Sequence, residues 1–276
     1  MNTLYLKKKF EKIKKKFLEK QYNEVIEECI LILRNNNVDV FYNLLCLAYN
    51  NKGETYKAID IMKEALKKNP KNADFLNNLG MFYSNIYDYK KAEEKYKKGL
   101  EIEKNNLSLL NNLANLKKDL DQTDEAVNIY EKILSIKSDS LLVMYNLAGL
   151  YNSLGEFEKS KKLYFHMLEI KPDFTEADRL ISQMEKYDSK HKHFLNLKEK
   201  LSNMRLEDNS LVHLHFALGK AYGDQKNYFE SFDNYKKAND ISKKISNYSF
   251  EKSKRRFDAI KKKFRSLDDN KLNKKD

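Results

Sequence analysis

Side chains of the same kind return every 34 residues along this sequence. Leu45, Leu79, Leu113 and Leu147 form one such column, and Leu66, Leu100, Leu134 and Leu168 form another. Ala58, Ala92 and Ala126 keep the spacing, as do Tyr96, Tyr130 and Tyr164. Small residues hold a further register at Cys46, Gly80, Ala114 and Ala148. Pro70 and Pro172 stand three periods apart, and so do Gly53 and Gly155. A chain with such a period builds one supersecondary unit several times over. Each unit buries its apolar face only by stacking on its neighbours.

Within one period the apolar positions fall at helical spacing in two segments of about a dozen residues, with a turn between them. The small columns mark where two antiparallel helices approach closely, since a larger side chain there forces the backbones apart. The tyrosine and leucine columns fill the space between one hairpin and the next. Pro70 and Pro172 end the second helix of their units because proline has no N–H to continue it. Gly53 and Gly155 ease the turn between helices. Turns are expected near Gly53, Tyr87, Asp121, Gly155 and Lys226.

These residues resemble the tetratricopeptide repeat. The resemblance implies an all-α fold, a right-handed superhelix (α-solenoid) of helix-turn-helix units. Four units run without insertion over 39–72, 73–106, 107–140 and 141–174. Residues 1–38, with YNEVIEECILILRNN, read as a degenerate capping repeat whose first helix is too basic for an internal position. The register breaks after Pro172. Residues 175–211 are an atypical helical insertion, with helices expected at Glu176–Tyr187 and around Phe194–Met204. A further unit returns at 212–245, with Gly219, Tyr222, Tyr228, Tyr235 and Ala238 in the expected columns. Residues 246–265 read as a basic amphipathic helix and 266–276 as a disordered tail.

Composition narrows the class. Seven Gly and two Pro leave little of the punctuation that strands and hairpins need. No apolar run approaches the roughly 18 residues of a bilayer span, so no integral membrane contact is expected. The start, MNTLYLKKKFEKIKKKF, lacks the uninterrupted apolar stretch of a signal peptide. The expected location is therefore cytoplasmic. Two cysteines, Cys29 and Cys46, are too few for a disulfide framework or a zinc site. The net charge of +12 gathers at the ends, with nine basic against five acidic residues over 1–38 and thirteen against five over 241–276. Residues 39–240 carry 31 of each sign. Nucleic-acid binding needs basic side chains gathered on one surface, and none is expected here.

A narrower resemblance lies in HLHFALGKAYGDQKNYFESFDNYKKAND, from His213 to Asp240, followed by SNYSFE at Ser246–Glu251. This stretch looks like the last repeat of bacterial proteins in which a tetratricopeptide array precedes a sulfotransferase domain. In that family a strand and a glycine- and arginine-bearing loop hold the sulfonate donor. No G-x-x-x-x-G-K or G-x-G-x-x-G occurs in this sequence. The architecture carries over and the activity does not. The expectation is a truncated or split member, or a free-standing array descended from one.

The candidate binding residues are asparagines. Asn43, Asn77 and Asn111 share one column, Asn78, Asn112 and Asn146 the adjacent one, and Asn115 lies one turn further on. All belong to the first helix of a unit, on the side away from the second, which lines the concave groove and faces solvent. A ladder of amides offers donors and acceptors to the backbone of an extended peptide with little regard for its sequence. Similar ladders serve that purpose in the arrays of some glycosyltransferases. The basic clamp of co-chaperone arrays needs Lys and Arg in these inner columns, where this sequence has Asn, Leu, Tyr and Ser. The expected function is a protein-interaction scaffold that binds an extended peptide. The alternative is the recognition half of a sulfotransferase whose catalytic domain is lost or separate.

Other features read as structural. His191/His193 and His213/His215 are two residues apart, which on a helix points them to different faces. They define no metal site, no cofactor is implied, and no catalytic arrangement can be assigned. The segment Ser249–Arg265 carries Phe250, Phe257, Ile260 and Phe264 on one stripe, with basic runs at 254–256 and 261–263. It is expected to cap the exposed end of the array. A basic amphipathic helix also suits weak binding to an anionic surface or a partner's groove.

Overall fold

The computed structural model describes residues 3–246 and 249–272, with side chains over 4–246 and 249–264. Every regular element among them is an α-helix. In chain order these are α1 (Thr3–Leu18), α2 (Tyr22–Leu33), α3 (Asp39–Asn51), α4 (Thr55–Lys68) and α5 (Ala73–Asn85). There follow α6 (Tyr89–Ile102), α7 (Leu107–Asp119), α8 (Thr123–Ile136), α9 (Leu141–Ser153) and α10 (Phe157–Ile170). The last are α11 (Thr175–Met184), α12 (Lys192–Asn203), α13 (Asp208–Asp224), α14 (Tyr228–Ile245) and α15 (Phe250–Leu272). The molecule is an all-α solenoid of stacked hairpins. It divides into two compact units, Met1–Gly155 and Glu156–Asp276.

In the first unit each helix packs on the next, from α1 on α2 through to α8 on α9. The columns of the sequence become the contacts. Ala58, Ala92 and Ala126 are wholly buried where the second helix of a hairpin meets its surroundings. The column continues into the second unit as Ser160, also wholly buried. A Cβ built on Gly80 would stand 2.5 Å from Cε1 of Tyr96, so that ring closes against bare backbone. Gly219 meets Tyr235 in the same way, at 2.9 Å. Ala92→Leu is therefore expected to cost about 1–3 kcal/mol through overpacking. An unchanged denaturation midpoint would show that this register is wrong.

The turns fall at the expected places. Gly53, Tyr87, Asp121, Gly155 and Lys226 all have positive φ, and Lys20 joins them between α1 and α2. Five of these turns close alike. The amides of Gln21, Glu54, Asp88, Gln122 and Asn227 each bond the carbonyl five residues back, which caps the open carbonyls of the preceding helix. Four of the six left-handed residues carry a side chain, at a cost that stacking of the hairpins outweighs. Asparagine and aspartate start several helices. Asn72, Asp88, Asn106 and Asn227 accept backbone N–H bonds at the starts of α5, α6, α7 and α14.

In the second unit α11 packs between α10 and α13, α12 lies on α13, and α13 pairs with α14. Helix α11 ends at Met184, three residues short of the expected Tyr187. The Tyr187 side chain instead enters the core with Phe194, Leu197, Leu214 and Leu218. Helix α15 runs on to Leu272, which corrects the disordered tail expected from 266. No Gly or Pro interrupts 249–272, so nothing stops the helix. Residues 273–276 lie outside the described residues, as do Asn247 and Tyr248 of the SNYSFE segment. The expected cap is also corrected. Phe250, Phe257, Ile260 and Phe264 are all exposed, from 45% to 69%, so the described helices of the second unit do not bury the stripe. Lys243 and Lys244 end α14 just before Lys252, Lys254, Arg255 and Arg256 begin α15, and like charges disfavour folding one helix back on the other.

Candidate functional site

The first helices form the crowded side of the first unit. Helix α3 touches α5, and α5 touches α7, whereas no comparable contact joins α4 to α6 or α6 to α8. The hairpins thus converge on the side that carries the asparagines.

All seven expected asparagines lie here, and all are half-buried rather than solvent-facing. Four of them bond in pairs across repeats. Asn78 donates to Oδ1 of Asn43 at 2.8 Å, and Asn112 donates to Oδ1 of Asn77 at 2.8 Å. A third bond of the same 35-residue span went unanticipated: Asn85 donates to Oδ1 of Asn50 at 3.0 Å, where the Thr55 hydroxyl also donates. The next step of the ladder would join Asn146 to Asn111. Asn146 instead bonds the hydroxyl of Tyr130, which donates to Oδ1 of Asn115 at 2.6 Å. Burial pushes the Tyr130 phenol up to about 12, with Asp119 adding to the shift and the Asn146 bond opposing it. Oδ1 of Asn111 is left buried without a partner among the described residues.

An amide carries two N–H donors and an oxygen with two lone pairs. Asn78 and Asn112 each spend one donor on the neighbouring repeat, which leaves one donor and the oxygen of each. The face can therefore hold its own repeats in register and still offer hydrogen bonds outward.

Two family models described as tetratricopeptide repeat match this sequence, over residues 61–94 and 118–184. The chain carries tetratricopeptide repeats. Among solved structures, the C-terminal part of a TPR repeat-containing protein from Cytophaga hutchinsonii is similar, with a TM-score of 0.63 and 13% identity. The match covers 84% of this chain and 95% of that one. PilF of Pseudomonas aeruginosa aligns with a TM-score of 0.54 and 17% identity, over 86% of this chain and 99% of its own. At such identities the likeness shows the fold alone. No curated protein matches the sequence significantly.

The helices that follow residue 174 hold a buried polar cluster that sequence reasoning missed. Asp178 of α11 is wholly buried. It accepts two bonds from the Lys200 ammonium, at 2.9 and 2.7 Å, and faces Nε2 of His193 at 3.1 Å. Nδ1 of His193 lies 2.7 Å from the Tyr187 hydroxyl. A carboxylate can only accept, so Nε2 of His193 donates to Asp178, and the Tyr187 hydroxyl pairs with Nδ1. His193 and Lys200 also line a cleft of about 410 Å³ with Phe165, Leu168 and Pro172. The expectation that His191 and His193 face apart is corrected, because both line this cleft. His191 is the N-cap of α12 and stands outside the helix, so helical spacing does not govern it. Among the described residues no group of three or more His, Cys, Asp or Glu is placed to hold a metal ion. Cys29 and Cys46 are buried in packing positions, and burial pushes the Cys29 thiol up to about 12 and Cys46 higher still. Neither is a ready nucleophile.

Proposed function

We propose that this tetratricopeptide protein is an interaction scaffold that holds an extended peptide segment of another protein against the first helices of residues 39–153. The observation that supports it is the amide face itself. Asn43, Asn77, Asn78, Asn111, Asn112, Asn115 and Asn146 bring seven side-chain amides onto the first helices of four successive hairpins. These amides read the backbone and not the side chains, so they suit a segment of varied sequence. Affinity capture of partners with the full chain, compared with a groove-asparagine variant, tests this reading. Equal capture by both would defeat it.

We expect protein partners rather than nucleic acid along residues 39–240, where 31 charges of each sign balance. Among the described residues no helix is long and apolar enough to cross a membrane. We place the protein in the cytoplasm. The resemblance of His213–Glu251 to sulfotransferase-linked arrays carries no activity with it, because a sulfonate donor presents phosphates that need a cradle of backbone N–H groups. Calorimetry with a phosphoadenosine nucleotide is expected to show no saturable heat. Specific binding would favour the sulfotransferase reading.

A further inference from the structure

Helix α15 combines an unpartnered apolar stripe with a dense positive charge. Phe250, Phe257, Ile260 and Phe264 are exposed. Over 250–264 seven Lys and Arg stand against Glu251 and Asp258 alone. The arrangement around the helix is specific. At about 100° per residue the three phenylalanines fall within about 40°, and Ile260 widens the stripe to about 80°. Lys254 and Lys261 border it on one side, Arg256 and Lys263 on the other. The two acids lie about 120–140° from its centre. Lys261 Nζ stands over the Phe257 ring, 5.1 Å from its centroid, so a cation lies directly beside the stripe.

We propose that α15 lies in the surface of a membrane rich in anionic lipid. The phenylalanines enter the boundary of the acyl chains, and the flanking cations meet lipid phosphates. A flat anionic surface satisfies both edges of the stripe at one depth, which an acidic groove in a protein does not require. The helix is too polar to span a bilayer. Helix α1 provides an internal contrast. It is also rich in lysine, but its apolar side is spent on the array, where Ile13 is wholly buried and Phe10 and Phe17 pack on the same core. Charge without a free stripe does not hold a helix at an interface.

The test is sedimentation of the full chain with vesicles of phosphatidylcholine alone or with about one third phosphatidylglycerol. The expected result is at least tenfold stronger binding to the anionic vesicles, weakened by salt. Phe257→Ser with Phe264→Ser is expected to lower that binding at least tenfold and leave the denaturation midpoint unchanged. Lys7→Ser with Lys8→Ser on α1 is expected to leave it intact. Absence of binding to anionic vesicles overturns the proposal, as does binding indifferent to the phenylalanines or lost with the α1 lysines. A fall in the midpoint of the phenylalanine variant without vesicles would show that the stripe caps the array, and overturns it equally.

Discussion

Replacing Asn77, Asn78, Asn111 and Asn112 together with Ala is expected to weaken partner binding at least thirtyfold. Each hydrogen bond to a peptide contributes about 0.5–1.5 kcal/mol net, so single substitutions fall near the limit of detection. Four together, if roughly additive, cost about 2–6 kcal/mol. The structure adds a cost to the free protein. The variant loses the Asn78–Asn43 and Asn112–Asn77 bonds, which lowers stability by about 1–3 kcal/mol. Binding must therefore be read where denaturation shows the variant folded. Salt separates the sites, because amide contacts respond little to ionic strength and basic ends respond strongly. Unchanged affinity in the variant, with binding lost at high salt, would move the site to the chain ends.

Asp178→Ala is expected to be the most destabilising single change in the second unit, at about 3–5 kcal/mol. It leaves the Lys200 ammonium and the His193 N–H buried without their acceptor. The cost comes from stranding a charge, not from losing an attraction. Removing the charge as well reverses most of it. Asp178→Leu with Lys200→Met is expected to recover much of the loss, since apolar replacements of a buried ion pair are often near neutral. Tyr187→Phe removes one hydrogen bond to His193 and is expected to cost about 1 kcal/mol. Urea denaturation of the full chain measures all three. Equal midpoints for wild type and Asp178→Ala would show that the cluster is open to water.

The hairpins and their turns were legible because the same packing problem recurs every 34 residues. One solution, such as Gly80 under Tyr96, is written again as Gly219 under Tyr235. The asparagine columns were legible too, but not their bonds. A bond spans 35 residues, from one column to the adjacent column of the next repeat, and alignment by period hides it. Asp178, His193 and Lys200 are separated by 15 and 7 residues in a segment without period, and nothing marks them among many charged neighbours. The stripe on α15 could be read from spacing, but what covers a stripe depends on charges brought near it by the fold.

The cross-repeat amide bonds have a mechanical consequence. They tie the hairpins of the first unit on the side where the first helices already touch, while the second helices stand apart. Each link fixes two neighbouring first helices in register along the edge where they already touch. A ligand that draws Asn78 or Asn112 away from its neighbour slackens a link. A ligand that bridges the remaining donors tightens the coil instead. If the amide face holds a peptide as proposed, occupancy at one rung is expected to alter the spacing at the next.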